Sequence, residues 1–200
     1  MSDTKEHIMK SSFNLFLQKS FKEVTMQEIV EKTGMSKGAF YHYFESKEQF
    51  FLEVVNHFTS TLMVDYSKLS KDSLYQFYHD YIKCMNDDTI YPFSHKENDA
   101  DSNFTLNYYV LVFDAMKLFP SYRERVNTNL QSELKIWEEI VRIARDTGEI
   151  NSPMTNQQIA SMFIYTSDGV ALHRIMKDIN EDRPSTLLIV WDGLYKELIT

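Results

Sequence analysis

Residues 25–47, TMQEIVEKTGMSKGAFYHYFESK, form the stretch of this 200-residue chain whose spacing indicates a specific task. Thr25 and Glu28 have the spacing of a capping box, so a helix is expected to begin at Thr25. The apolar residues that follow recur at helical intervals over about two turns. Gly34 suits the left-handed end of that helix, and Ser36 suits the start of a second one. Two short helices joined by a tight glycine turn are typical of a helix-turn-helix.

The second helix of this pair, Lys37 to about Tyr43, has an unusual outer face for a core helix. Phe40 and Phe44 lie one turn apart and can point inward, whereas the other side chains are small or can form hydrogen bonds. If the outer face meets DNA, the helix enters the major groove with its N-terminal residues toward the base edges. Its lysine could then donate to guanine, its small residues would permit close approach, and Tyr41 could reach phosphates or bases.

Two further helices are expected around this pair. A first helix over residues 4–19 should pack against the two motif helices and complete a three-helix head. Ser46 and Gln49 again have capping-box spacing, so another helix is expected to begin at Ser46. The positive N-terminal end of that helix, together with Lys47, would favour a phosphate.

The run GMSKGAFYHYFESKEQFF at residues 34–51, preceded by an amphipathic helix and a phenylalanine before the capping threonine, resembles the tetracycline-repressor (TetR) family of bacterial regulators. The pattern G-x-S-x-G-x-x-Y-x-Y-F-x-S-K is far more specific than a bare helix-turn-helix pattern. The resemblance extends from Ile8 to about Val55. The rest of the chain matches the family only in its length and its all-helical pattern.

The resemblance implies which residues contact DNA. In the family, groove contacts come from the second motif helix, and phosphate contacts come from the cap of the first helix and from the lysine that follows. The corresponding positions in this sequence are Thr25, Ser36, Lys37, Gly38, Ala39, Tyr41, His42 and Lys47. Two departures concern packing: Ser20 precedes Phe21 where the family usually has glycine, and Ser11 and Ser12 stand where alanines are common.

The composition favours a folded, all-α chain. Its hydrophobic content is 43%, and it contains only 5 glycines and 4 prolines. Because apolar residues recur at helical intervals, no sheet is expected. We expect a helix-turn-helix DNA-binding domain over residues 1–50. A helical domain for ligand binding and dimerisation is expected over residues 51–200.

The charge distribution bears on DNA binding, because affinity for the backbone comes mostly from lysine and arginine. The net charge is −8. Residues 1–50 contain seven lysines and seven acidic residues, so the whole excess of negative charge lies in residues 51–200. Local basic groups near the motif would therefore have to direct docking. Weak non-specific binding and a steep dependence on salt are expected.

The sequence argues against catalysis and against a membrane location. The single cysteine, Cys84, excludes an internal disulfide and a cysteine cluster for zinc. The six histidines form no metal-binding motif, and no nucleotide-binding or nucleophile motif occurs. No catalytic residues, cofactor or metal are therefore expected. The absence of a secretory signal and of a long apolar run predicts a cytoplasmic protein that does not contact a membrane.

Helical patterning continues through the second part of the chain. We expect helices from Ser46 to about Tyr66, 74–85, 104–119, 120 to about 146, from a cap at Thr155, and from Pro184 onward, with a loop at 86–103. The resemblance implies that the last two helices pair with those of a second subunit, giving a homodimer and a palindromic operator. The interface residues expected on these helices are Ile164, Ala171, Ile175, Leu187, Trp191, Leu194 and Leu198.

The middle helices are rich in aromatic residues and methionine, and the family encloses an effector pocket there. The candidates are Phe77, Tyr81, Tyr108, Tyr109, Phe113, Met116, Trp137 and Phe163. The alternative for each of them is a place in the hydrophobic core. Together they favour a pocket for a small apolar or aromatic molecule. Asp114, Asp168 and His173 are polar candidates that could orient such a ligand, although for each of them an exposed position or a partner within the core is favoured over that role.

The sequence therefore predicts a ligand-responsive regulator of transcription. It is expected to act as a repressor that a small effector releases from a palindromic operator of double-stranded DNA. Activation of transcription by the same fold is one alternative. A helical protein-interaction module whose head does not bind DNA is another, and the acidic balance favours it slightly. A helical enzyme with a hidden metal site is a third.

Overall fold

The computed structural model describes residues 3–61, 63–85, 104–177 and 183–199, and every regular element in these ranges is helical. The all-α prediction is confirmed. The α-helices are α1 Asp3–Gln18, α2 Met26–Thr33, α3 Lys37–Tyr43, α4 Lys47–Thr61, α5 Leu74–Met85, α6 Phe104–Leu118, α7 Pro120–Asp146, α8 Asn156–Lys177 and α9 Arg183–Leu198. None of them is long and apolar enough to cross a bilayer.

The chain forms two compact units. The first contains Met1–Met63 and Glu97–Val126, and the second contains Val64–Lys96 and Asn127–Thr200. In the first unit α1 packs on α2, α4 and α6, and α3 packs on α2. In the second unit α9 packs on both α5 and α8. The functional division at residue 50 stays a prediction.

One expectation about a helix end is wrong, and another is met in part. Helix α4 ends at Thr61 rather than near Tyr66. The carboxylate of Asp65 accepts from the backbone N–H of Ser67, 3.1 Å away, and so begins a separate 3-10 helix at Tyr66–Lys68. The capping box expected at Ser46 forms in part: the Ser46 hydroxyl accepts from the N–H of Gln49 at 3.1 Å, whereas the Gln49 side chain accepts from the N–H of Glu45 rather than from that of Ser46. The loop expected at residues 86–103 lies outside the described residues.

The second unit is built around an aromatic core. Trp137 on α7 stacks on Phe163 of α8 with ring centroids 5.1 Å apart, and its edge meets Phe77 of α5 at 4.9 Å. Trp191 of α9 lies 5.4 Å from Trp137. Its indole N–H donates to the Phe163 carbonyl at 3.1 Å, which attaches α9 to α8.

Candidate DNA-binding face

The start of α2 is held by the predicted capping box. The backbone N–H of Glu28 donates to the Thr25 hydroxyl at 3.2 Å, and the backbone N–H of Thr25 donates to the Glu28 carboxylate at 2.8 Å. Lys19 at the end of α1 donates to the same carboxylate. These bonds, led by the one from Lys19, lower the pKa of Glu28 from 4.5 to about 2. The carboxylate thus joins the end of α1 to the start of α2.

The turn between α2 and α3 has the geometry that its residues predict. Gly34 ends α2 with φ of 69°, in the left-handed region where a side chain would be strained. Ser36 begins α3, and its hydroxyl accepts from the N–H of Ala39 at 3.1 Å. The hydroxyls of Thr25 and Ser36 are therefore engaged in capping, although both residues remain exposed. A phosphate at either position would share a hydroxyl with a helix cap.

Helix α3 is anchored on one side by phenylalanine rings. The side chain of Phe40 is fully buried, and its ring lies 5.1 Å from that of Phe44 and 5.0 Å from that of Phe50. The predicted contact residues lie away from this anchor. Lys37, Gly38, Tyr41 and His42 are exposed, and Ala39 is half-buried. Anchoring through one ring leaves the rest of the helix surface free to enter a groove.

Lys47 has an internal role that the sequence did not reveal. Its ammonium donates to the Phe21 carbonyl at 2.6 Å and lies 4.3 Å from the centroid of the Phe21 ring. Partial burial lowers the pKa of this ammonium, while Glu48 and Glu28 oppose the shift. An ammonium has three donors, so one bond to a carbonyl leaves others for a phosphate. Lys47 thus ties the loop after α1 to the start of α4, at the edge of the proposed face.

The departures from the family pattern concern packing in the first unit: Ser11 and Ser20 are half-buried, Ser12 is buried, and Ser20 precedes the buried Phe21. Phe21 is buried, and its ring packs against those of Phe51 at 4.7 Å and Phe119 at 5.6 Å. Ser12 is fully buried, and its hydroxyl has no hydrogen-bond partner among the described residues. Neither residue belongs to the exposed side of α3, so both affect packing rather than the contact face.

The eight effector-pocket candidates are divided between the two units. Phe77, Trp137 and Phe163 are fully buried against one another, and Tyr81 is half-buried with its ring 5.9 Å from that of Trp137. The other four lie on α6 in the first unit. Tyr108, Tyr109 and Met116 are half-buried there, and Phe113 is exposed. A pocket lined by these residues stays a prediction.

Most of the expected interface residues are packed inside their own chain. Ile164, Ala171, Leu187, Trp191 and Leu198 are buried, and Ile175 and Leu194 are half-buried. The exposed apolar residues of α8 and α9 are a different set. They are Met162, Tyr165, Leu172, Met176, Ile189 and Val190. The apolar periodicity of both helices thus identified the stripe that faces the protomer core.

The helices of the described residues, with a capped and exposed helix-turn-helix near the N-terminus, have the architecture of helix-turn-helix DNA-binding proteins. Residues 8–54 match the model of the bacterial regulatory proteins of the tetR family. Over these residues the chain belongs to the TetR family of transcriptional regulators.

Curated relatives match mainly the head. The HTH-type transcriptional regulator YerO of Bacillus subtilis (strain 168) is 39% identical over 72 residues, which are 36% of this chain and 25% of that protein. The HTH-type transcriptional repressor NemR of Escherichia coli (strain K12) is 42% identical over 48 residues, 24% of each protein. These alignments span about a quarter of the relatives, so they do not extend to their remaining domains.

Solved structures match along the whole fold. A transcriptional regulator of the TetR/AcrR family superposes with a TM-score of 0.69 at 24% identity, covering 98% of this chain and 100% of that one. The reduced form of E. coli NemR superposes with a TM-score of 0.65 at 21% identity, covering 96% of this chain and 97% of that one. At these identities the similarity supports the shared fold of the helical second part.

Proposed function

We propose that this regulator is a homodimer that represses transcription by binding a palindromic operator and that a small molecule bound in the second unit releases it. The observation that carries the DNA-binding part is the exposed side of α3, opposite the buried ring of Phe40. The description of NemR as a repressor favours repression over activation.

The contacts follow from the position of each group on α3. The small residues Gly38 and Ala39 permit close approach to the groove, and Lys37 donates to guanine at the start of the helix. Tyr41, with 46% of its surface exposed, and the adjacent His42 reach phosphates or base edges. Thr25, Ser36 and Lys47 contribute phosphate contacts alongside their capping and tethering bonds.

The dimer surface in this proposal is the exposed apolar stripe of α8 and α9. On α8 the residues Met162, Tyr165, Leu172 and Met176 recur at helical spacing, and Gly169 lies in the middle of that stripe. On α9 the stripe continues through Ile189 and Val190 to Gly193. A groove of about 460 Å³ runs between the two helices, lined in part by Tyr165, Gly169, His173 and Val190. An exposed apolar surface of this kind suits a second copy of the chain.

Release by an effector requires that the effector bind one conformation of the dimer better than the other. A difference of ~1–3 kcal/mol would change operator affinity roughly 5 to 150-fold. The effector is proposed to be small and apolar or aromatic, and the second unit supplies the aromatic surroundings for it.

The DNA-binding proposal is tested by fluorescence anisotropy with the duplex upstream of the gene and a scrambled duplex. We expect wild type to prefer the upstream duplex and to lose affinity steeply as salt rises. Lys37→Ala and Tyr41→Ala should each lower the specific affinity about tenfold or more. Lys32→Ala, at an exposed lysine outside the contact set, is the matched control. Equal binding of both duplexes by all four proteins would instead indicate a head that contacts another partner, such as a protein.

The dimer proposal is tested by sedimentation at micromolar concentration. Gly169 has open space where a Cβ would stand, so Gly169→Leu should be accepted by the protomer fold. Its larger side chain would keep two α8 stripes apart, and we expect a monomer. Gly169→Ala is the control, because it adds one methyl group and favours the helix. A dimeric Gly169→Leu protein would place the interface elsewhere.

A further inference from the structure

The lysines of the helix-turn-helix head differ in what their ammonium groups already contact. Three of the seven in residues 1–50 have a partner inside the protein: Lys5 pairs with a carboxylate of α4, Lys19 with a carboxylate of α2, and Lys47 with a backbone carbonyl. The other four are exposed, and within the described ranges they form no ion pair or hydrogen bond. They are Lys10, Lys22, Lys32 and Lys37. A lysine of this second group gives its whole charge to any phosphate that it meets.

Lys22 lies on a short turn between α1 and α2 whose backbone is fixed. The N–H groups of Glu23 and Val24 both donate to the Ser20 carbonyl, at 3.0 and 3.2 Å. Phe21 and Val24, on either side of Lys22 and Glu23, are buried. The Glu23 carboxylate turns back and accepts from the N–H and the hydroxyl of Ser20, at 2.9 and 2.8 Å. The acid next to Lys22 in the sequence is thus engaged with Ser20, and the exposed Lys22 extends from a rigid support.

A bond between distant parts of the chain places this turn at the edge of the candidate DNA-binding face. The Phe21 carbonyl, which accepts from the Lys47 ammonium at 2.6 Å, belongs to the peptide group that joins Phe21 to Lys22. The backbone nitrogen of Lys22 therefore lies within about 5 Å of that ammonium, at the start of α4. The exposed Thr25 follows three residues later and begins α2. Lys22, Thr25 and Lys47 thus lie together at this edge.

The three groups at this edge differ in what they have left for a phosphate. The Thr25 hydroxyl already accepts from the backbone N–H of Glu28, and Lys47 already donates to the Phe21 carbonyl. The ammonium of Lys22 keeps all three of its donors. Phosphate contacts of this kind fix the register of a protein on the duplex without reading its sequence. Lys22 is therefore the group at this edge best suited to such a contact.

We propose that Lys22 is a further DNA-binding residue, whose ammonium binds a backbone phosphate beside the major groove that α3 enters. It lies outside the contact set that the family resemblance implies. The inference rests on the proposed function, because it assigns one more contact within the same DNA complex. Each head of a dimer supplies one such contact, so the two copies of Lys22 bind two phosphates of one operator.

The test is anisotropy titration of the full chain with the upstream and the scrambled duplex at a series of salt concentrations. Each phosphate contact contributes about −0.9 to the slope of log affinity against log salt concentration. Lys22→Ala should therefore make the slope of a bound dimer shallower by about 2 and lower its affinity at low salt about tenfold. Because the contact carries no sequence information, the loss should appear with both duplexes.

Variants separate the charge of Lys22 from other effects. Lys22→Arg keeps a cation at this place and should retain the wild-type slope, whereas Lys22→Glu should bind more weakly than Lys22→Ala. Lys32→Ala is the matched control, because Lys32 is also exposed and unpaired among the described residues but lies about 10 Å from Thr25 along the axis of α2. Its affinity should stay within about twofold of wild type. Urea unfolding of wild type and Lys22→Ala should coincide, since the side chain is exposed.

Two results would overturn the inference in a wild-type protein that prefers the upstream duplex. One is an unchanged salt slope for Lys22→Ala. The other is an equal loss with Lys32→Ala, because net charge alone would then explain the effect. Both results leave the proposed function intact. A wild type without preference for the upstream duplex would contradict the proposed function instead, while a shallower slope for Lys22→Ala on either duplex would still support the phosphate contact.

Discussion

The helix-turn-helix head and the aromatic second unit obtain their helix ends in different ways. In the head, Thr25 caps α2 with Glu28, and Ser36 caps α3, so each cap bonds to a group three residues away. In the second unit, the first N–H groups of α5 donate to the carboxylate of Glu149 at 2.9 Å, across 75 residues for Leu74 and 74 for Tyr75. Local bonds alone begin α2 and α3 of the head, whereas the start of α5 in the second unit adds these distant bonds to the local cap of Ser73.

The two regions also use their aromatic residues differently. In the head the phenylalanines are buried, and α3 keeps a free outer side that indicates its task. In the second unit the tryptophans fill the core, and the polar groups that could bind a ligand are scattered over several helices. A DNA-binding motif can therefore be recognised from short-range spacing, whereas a ligand site built from distant elements cannot.

Removal of the Trp191 side chain should have the largest effect on the second unit. This fully buried indole contacts four other aromatic rings and donates to the Phe163 carbonyl and the Thr166 hydroxyl. Trp191→Ala should lower the free energy of unfolding by about 3–5 kcal/mol, as large core truncations do. Urea unfolding measures the change, and Trp191→Phe should lose clearly less. A loss below about 1 kcal/mol would mean that distant packing matters little here.

Loss of the Glu149 carboxylate should have an intermediate effect. Glu149→Ala leaves the N–H groups of Leu74 and Tyr75 without their acceptor and removes the acceptor of the Tyr195 hydroxyl. Loss of a helix cap costs about 0.5–2 kcal/mol, and urea unfolding should show a decrease in that range. Glu138→Ala on α7 is the comparison. Equal stability of the two variants would contradict a capping role for Glu149.

The smallest expected effect is a pH dependence in the head. Because the folded pKa of Glu28 is about 2 and its ordinary value is 4.5, its contribution to stability is present above about pH 4.5 and is lost as the pH falls toward 2. Urea unfolding of wild type and Glu28→Gln should differ most near neutral pH and converge in acid. The control is Glu31→Gln, at an exposed acid of the same helix. A constant difference across the range would contradict the role of the Glu28 carboxylate.

Much of the fold could be predicted because helix boundaries depend on local residues. The glycine at position 34 and the caps at Thr25, Ser36 and Thr155 are where the sequence places them. The end of α4 could not be located, because it depends on the side chain of Asp65 favouring a new turn. The capping of α5 by Glu149 was not predicted, because no spacing rule connects residues 75 apart along the chain.

The candidate sites were predictable to different degrees. The exposed side of α3 follows from helical geometry once Phe40 is buried. The bond from the Lys47 ammonium to the Phe21 carbonyl depends on where the loop that carries Phe21 folds back. The spacing of residues in the sequence does not give that position. Helices α8 and α9 carry apolar residues on two faces. The sequence pattern does not tell which of these faces packs against the same chain and which stays exposed. The bond between the Tyr66 hydroxyl and the Glu133 carboxylate joins residues 67 apart, and only packing brings them together.

The most direct test of the central claim, that α3 of a dimer enters the major groove, is protection of guanine N7 from methylation on the upstream duplex. Guanine N7 lies in the major groove, and two symmetric half-sites are separated by about one helical turn or a multiple of it. We predict two such patches of protection with wild type and none with Tyr41→Ala at a concentration that saturates wild type. Specific binding without protected guanines, at operators that contain guanine in both half-sites, would contradict the claim.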